Sequence, residues 1–323
     1  NSPAVRAFIQ ENLNLFNGRR GEPASFTLLD RLLRQQVYRL ACWLVSQEMI
    51  NYRRFFSIND LIGIRVEDPA VFAATHHLLF RLVEEGKIQG LRIDHIDGLY
   101  NPSEYLQRLQ DHLQRLGPEE ERRPFYIVTE KILGPDEELP ATWPVAGTTG
   151  YDFLAYLNNF FIHSSGLARL EALYRRSCGE TTWEEVVYNK KKLVLARLFG
   201  GEVRNLCEEL QRLASRDRQA VDLPCRALKA ALIEVTASLE VYRTYVTDYQ
   251  VEPPDRDRIL RAVQRAQERQ PTLNRGALAF LQRVLTLELP PDLGEEDRKE
   301  WLRFVCRWQQ FTGPVMAKGL EDT

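Results

Sequence analysis

The stretch that most restricts how this chain can fold is an unbroken succession of helix, strand, helix and strand between residues 68 and 130. Asp68 and Pro69 stand where an N-cap and a first helical residue belong, and the helix they open is expected to run to Glu85, with Gly86 just past its end. "IQGLRID", Ile88–Asp94, then reads as a short strand. Asn101 and Pro102 repeat the helix-start pattern, with Glu104 at the capping-box position. Tyr105, Leu106, Leu109 and Leu113 line one face of that helix, which is expected to end at Gly117. "PFYIVTE", Pro124–Glu130, is apolar almost throughout, as a parallel strand buried on both faces should be. Strand, crossover helix and strand make a βαβ unit, and with it a parallel sheet.

Each of these two strands ends in a carboxylate. Side chains alternate along a strand, so Arg92 and Asp94 share one face while Leu91 and Ile93 take the other. Asp94 is the last residue before the loop, and Glu130 holds the same place on the next strand. Ligands of α/β sheets and barrels bind at the C-terminal strand ends. Adjacent strands lie about 4.8 Å apart, so two such carboxylates can reach the roughly 5–5.5 Å separation of retaining glycosidases. Arg92 beside Asp94 would hold the carboxylate ionised, as a nucleophile requires. Glu130 would then be the proton donor, with Lys131 turned to the opposite face. The competing reading is structural: an arginine–aspartate pair tying a turn, and a solvated glutamate at a strand edge. Spacing alone leaves both open.

The rest of the chain narrows the function classes. Its 323 residues suffice for one large domain or two smaller ones, and a formal net charge of -2 gives no electrostatic case for nucleic acid or an anionic membrane. No apolar run approaches the roughly 18 residues of a membrane helix. Cys42, Cys178, Cys207, Cys225 and Cys306 are scattered and form no CxxC pair, so reduced thiols in a cytoplasmic protein are expected rather than a disulfide framework or zinc. His95-x-Asp97 lacks a third ligand at metal spacing, and His76 and His77 cannot face one site together, so no metal is expected. "GTTGYDF", Gly147–Phe153, is a Gly-rich loop without the Lys-Ser/Thr ending of a phosphate loop. "NYRRFF", Asn51–Phe56, and "VYRTYV", Val241–Val246, mix aromatics with arginine, which suits either a sugar site or an aromatic core patch.

Residues 1–50 read as helical, with Leu29, Leu32, Leu33, Leu40 and Leu44 near helical spacing, and "INYRRFFSINDLIGIRVEDPAVF", Ile50–Phe72, as loop or short strand. From about Ser165 seven amphipathic segments follow one another, the fourth running "PCRALKAALIEVTASLEVYRTYV". The expected organisation is a helix-rich α/β chain, with residues 1–164 around the βαβ unit and 165–323 as a helical subdomain.

"GLRIDHIDGL" resembles the nucleophile segment of the α-amylase clan of glycoside hydrolases and transglycosidases, whose pattern is Gly-x-Arg-x-Asp, and "YIVTEKIL" resembles the acid/base segment that follows it. Together with "INYRRFFSINDLIGIRVEDPAVF", "GTTGYDF", "VYRTYV" and "TGPVMAKGLEDT", the motifs resemble the maltooligosyltrehalose synthase family of that clan, in order and over nearly the whole chain. The resemblance implies part of a (β/α)8 barrel with a large all-helical insertion, a maltooligosaccharide substrate and no cofactor. It implies that the reducing-end α-1,4 bond is rearranged to the α-1,1 bond of trehalose. Asp94 would be the nucleophile, Arg92 its charge partner and Glu130 the acid/base. Tyr52, Arg53, Arg54 and Phe55 would line the sugar site, with His95, Asp97 and Lys131 near it; Tyr151, Asp152, Tyr242, Arg243, Lys318 and Glu321 are further candidates by motif.

Two clan segments have no counterpart: an early Asp-x-x-x-Asn-His, and a late His-Asp that supplies a third catalytic aspartate and would lie beyond Thr323. With only two or three strands in evidence, the chain reads as an internal piece of the enzyme, and little turnover is expected of it alone. An α-amylase-type hydrolase or glucanotransferase using the same carboxylates, and a catalytically silent glucan-binding piece, remain the alternatives.

Overall fold

A computed structural model describes residues 2–116, 123–179 and 182–322. The helix end expected at Gly117 lies outside the described residues. The chain divides into two compact units, residues 1–46 and 47–323.

The first unit holds α1 (Pro3–Asn17) and α2 (Thr27–Arg34), and neither has a buried residue. The leucine periodicity therefore overreaches. α2 stops at Arg34, Leu40 lies in irregular chain, and Leu44 sits in a single 3₁₀ turn, Trp43–Val45. An eight-residue helix without a buried face has too little to carry it further.

The second unit begins, after the four-residue α3 (Ser46–Met49), with a hairpin of β1 (Arg54–Phe55) and β2 (Ile58–Ile62). α4 (Pro69–Glu84) starts where its cap predicts, the Asp68 carboxylate accepting from the backbone N–H of Ala70 and Val71. β3 (Gly90–Ile93), α5 (Pro102–Leu116) and β4 (Tyr126–Thr129) are the expected βαβ unit, and Asn101 caps α5 by accepting from Glu104 N–H at 3.1 Å. β3 and β4 pair in parallel, Gly90 opposite Tyr126 through Ile93 opposite Thr129. A two-residue strand, β5 (Gly147–Thr148), joins β4 in parallel, so the sheet runs β3-β4-β5. Phe72, Phe80, Leu106, Leu109, Leu113 and Ile127 form the core beneath it. β4 is less enclosed than its composition suggests: Ile127 is buried, but Tyr126 is 60% exposed.

Helices fill the remainder: α6 (Tyr151–Phe160), α7 (Ser164–Cys178), α8 (Trp183–Arg197), α9 (Gly200–Ala214), α10 (Cys225–Ser238), α11 (Pro253–Arg269), α12 (Arg275–Leu285) and α13 (Glu295–Met316). All seven helical segments read from sequence are present, and α6 adds one where a Gly-rich loop was expected. α8 to α13 enclose a second core that includes Leu210, Leu232, Phe280, Trp301, Phe304 and Trp308.

One helix ends early. α10 stops at Ser238, although the apolar pattern continues to Val246. Beyond that point the backbone finds distant partners. Lys191 Nζ donates to the Leu239 carbonyl at 2.5 Å. Gln309 accepts from Val246 N–H at 2.7 Å and donates to the Val246 carbonyl at 2.8 Å. These bonds replace the helical ladder and leave 239–246 as an irregular buried strap.

Candidate active site

The register of β3 and β4 brings Asp94 and Glu130 to adjacent strand ends, and Glu130 N–H extends the ladder to the Ile93 carbonyl at 2.8 Å. Arg92 reaches both carboxylates, Asp94 at 2.5 Å and Glu130 at 3.9 Å. The other Glu130 oxygen accepts from the His95 backbone N–H at 2.7 Å. Arg92 and Asp94 are about half exposed and Glu130 less so, an open position at which a ligand can arrive.

His95 holds this turn in an unusual conformation. Its φ of 52° is left-handed, which a non-glycine residue adopts only when its surroundings enforce it. Its ring lies 5.0 Å from that of Phe55 and 4.8 Å from that of Phe56. A Cβ at Gly98 would stand 2.3 Å from the imidazole, so any larger residue there would displace the ring. Burial is the main force holding the His95 imidazole below its ordinary value.

The C-terminal end of the chain closes on the same place. α13 continues into a π-helical turn, Ala317–Glu321, that carries two of the expected residues. The Lys318 ammonium lies 5.3 Å above the Phe56 ring and pairs with Asp322 at 2.5 Å. Glu321 has its carboxyl raised by burial first, then by the charges of Asp322 and Glu130. The third strand contributes as well, because Thr148 at the end of β5 donates to Asp152 at 2.9 Å in the first turn of α6, beside Tyr151.

Four of the expected residues, Arg54, Asp97, Lys131 and Arg243, are buried. Lys131 is fully buried, 2.8 Å from Glu137 and 3.4 Å from Asp97, with its ammonium over the rings of Tyr242 and Tyr245. Tyr245 OH donates to Asp97. Arg243, also fully buried, donates to the carbonyls of Asp97 at 2.9 Å and Leu99 at 2.6 Å. These bonds cross-tie the loops that carry Asp94 and Glu130 to the strap after α10. Arg54 is enclosed in a separate cluster with Glu202 at 2.8 Å, Asn59 at 2.6 Å and the Leu198 carbonyl at 2.6 Å. Arg53 binds the carbonyls of Gly98 and Ile64, and Tyr52 donates to the Asn59 carbonyl. Glu137 is not legible as part of this assembly, since its only signal is a charge in a Pro-rich loop, whereas Tyr245 lies within the VYRTYV motif.

A cavity of about 370 Å³ opens behind the loop that follows Glu130, lined among others by Ile132, Gly134, Trp183, Tyr188, Tyr242 and Leu320. Among the described residues no cluster of three metal-binding side chains occurs, and no helix is long and apolar enough to cross a membrane.

A scan against protein-family models returned no match. The chain is 39% identical over 210 residues to a putative maltooligosyl trehalose synthase of Mycobacterium tuberculosis, an alignment covering 65% of this chain and 25% of that protein. Among solved structures, the maltooligosyltrehalose synthase of Arthrobacter ramosus superposes with a TM-score of 0.74 at 34% identity, over 94% of this chain and 34% of that one. A hypothetical maltooligosyl trehalose synthase of Sulfolobus tokodaii matches with a TM-score of 0.65 at 27% identity, over 92% of this chain and 33% of that one. The resemblance carried by the motifs is therefore borne out. The chain spans about a quarter of the length of the curated relatives it matches and about a third of the solved ones.

Proposed function

We infer that this chain, similar over nearly all its length to a segment of the maltooligosyltrehalose synthases, supplies the nucleophile and the acid/base of an intramolecular transglucosylation that forms maltooligosyltrehalose. The observation that carries the reading is the pairing of Asp94 and Glu130 on neighbouring parallel strand ends, with Arg92 between them. The likeness to synthases, rather than to hydrolases of the same clan, supports the choice of reaction. In this reading β3, β4 and β5 are part of a (β/α)8 barrel, residues 165–323 form the helical insertion, and the enzyme works in the cytoplasm.

The chemistry runs by retention. Asp94 attacks the anomeric carbon of the penultimate residue while Glu130 protonates the departing glucose oxygen, leaving a glycosyl ester on Asp94. The glucose turns in place and presents its own anomeric hydroxyl. Glu130, now a base, takes that proton, and the α-1,1 bond forms as the ester breaks. No cofactor enters. Water must be kept out during the turn, or hydrolysis wins.

The burial pattern divides the remaining residues. Tyr52, Phe55, His95, Tyr151, Asp152, Tyr242, Lys318 and Glu321 are assigned to the sugar. Arg53, Asp97, Lys131 and Arg243 are assigned to holding the strand-end loops in place, and Arg54 to tying the β1–β2 hairpin to Glu202 and the Leu198 carbonyl. Incubation with maltopentaose and chromatography of the products tests the reading, with Asp94→Asn as control. A non-reducing, trehalose-ended oligomer that disappears in Asp94→Asn supports it. Reducing sugars alone would favour a hydrolase; no product, the outcome expected of this segment by itself, moves the same test to the chain with its flanking sequence restored, where a lack of product would overturn the reading.

A further inference from the structure

Two cysteines outside the site stand against each other where α9 packs on α10. Cys207, on α9, is 1% exposed. Cys225 is the first residue of α10 and is exposed. Their sulfurs lie 3.2 Å apart in a thiol–thiol hydrogen bond. A disulfide requires about 2.05 Å, so the two atoms need close by only about 1 Å. Cys42 and Cys178 are exposed and Cys306 is buried; none of them stands within hydrogen-bond reach of another thiol among the described residues.

We propose that Cys207 and Cys225 form a reversible disulfide that staples α9 to α10, made by exchange with a low-molecular-weight disulfide such as oxidised glutathione. The two thiols differ in the way such an exchange needs. Cys225 is open to solvent at the first residue of α10, where a soluble disulfide can reach it. It is the attacking sulfur. Cys207 is unreactive by itself, because burial first, and then its contact with Cys225, push its thiol up to about 12. It is the resolving sulfur, acting only on a partner already beside it.

The step balances. The Cys225 thiolate attacks one sulfur of the glutathione disulfide, a mixed disulfide forms, and one glutathione thiolate leaves. Cys207 gives its proton to that thiolate or to water and attacks the Cys225 sulfur; the second glutathione leaves. Two protein thiols are oxidised, and one glutathione disulfide is reduced to two glutathiones. The staple closes the chain between residues 207 and 225. It touches none of the residues assigned to the sugar, so this inference does not rest on the proposed activity.

The experiment is to incubate the folded chain with oxidised glutathione, quench in acid, alkylate and map the peptides by mass. The expected result is a peptide pair joined through Cys207 and Cys225, with both escaping alkylation and both recovered after dithiothreitol. In Cys207→Ser the expectation is a persistent glutathione adduct on Cys225. The exposed Cys42 and Cys178 report that the oxidant worked. The proposal is overturned if Cys42 and Cys178 carry glutathione while Cys207 and Cys225 remain alkylatable, or if glutathione stays on Cys225 of the unaltered chain without a cross-link.

Discussion

α6 and α7 are as amphipathic in sequence as α9 and α10, yet the two pairs of helices meet opposite fates. α9 buries Val203, Leu206, Leu210 and Leu213, and α10 buries Leu228, Leu232 and Val235, all within one core shared with α11, α12 and α13. α6 and α7 bury nothing: Tyr156 is 78% exposed, Phe160 82% and Leu170 65%. The difference lies in what faces each stripe, not in the stripe itself. Periodicity states that a helix has an apolar side; it does not state that this chain supplies the surface to cover that side.

Substitutions break or sharpen this contrast. The largest effect is expected at Trp308, which is fully buried and donates to Thr236 at 2.9 Å. Trp308→Ala should cost about 3–5 kcal/mol in denaturant unfolding, and a loss below about 1 kcal/mol would mean that the α8–α13 core is not packed as described. A comparable effect from a different cause is expected at Lys131. Lys131→Met leaves Asp97 and Glu137 buried without their cation, at about 3–5 kcal/mol by the same measurement.

A smaller effect follows from pH. His76, His95 and His112 are each held below the ordinary 6.5, chiefly by burial. As pH falls through that value the unfolded chain takes up protons before the folded one does, so this part of the stability is present above about 6.5 and lost below it. The melting temperature should drop between about pH 7.5 and about pH 5.5, and replacing His76 by Gln should flatten part of that drop. Unchanged slopes would contradict the burial of His76 against Phe72 and Tyr105. The smallest effect is expected on the uncovered helices, where Leu170→Ala should stay within about 0.5 kcal/mol. A loss as large as that of a core leucine would show that α7 is covered in solution.

The same contrast explains what the sequence disclosed. In the βαβ unit the local signals hold. The caps at Asp68 and Asn101, the alternation of Arg92 with Ile93 and the matched strand ends at Asp94 and Glu130 depend on neighbours within a few residues, and the structure has all of them. Features decided by distant partners did not show. α10 ends at Ser238 because Lys191 and Gln309 bind the strap beyond it, and no local signal marks that stop. β5 is two residues long, below any periodicity, and exists because Val128 and Thr129 pair with it. Among the site residues, type and motif could pick out Lys131 and Arg243, but not their enclosure by Asp97, Glu137 and the Leu99 carbonyl, which distant parts of the chain supply.

The most direct test of the central claim is to treat the Glu130→Gln chain with an α-maltosyl fluoride and map the peptides by mass. Fluoride leaves without a proton, so the first step needs Asp94 alone, while the lost base slows release of the ester. The account predicts a glycosyl group on Asp94, absent from the Asp94→Asn, Glu130→Gln double variant. A sugar bound to any other residue, or an unlabelled Asp94, would contradict it.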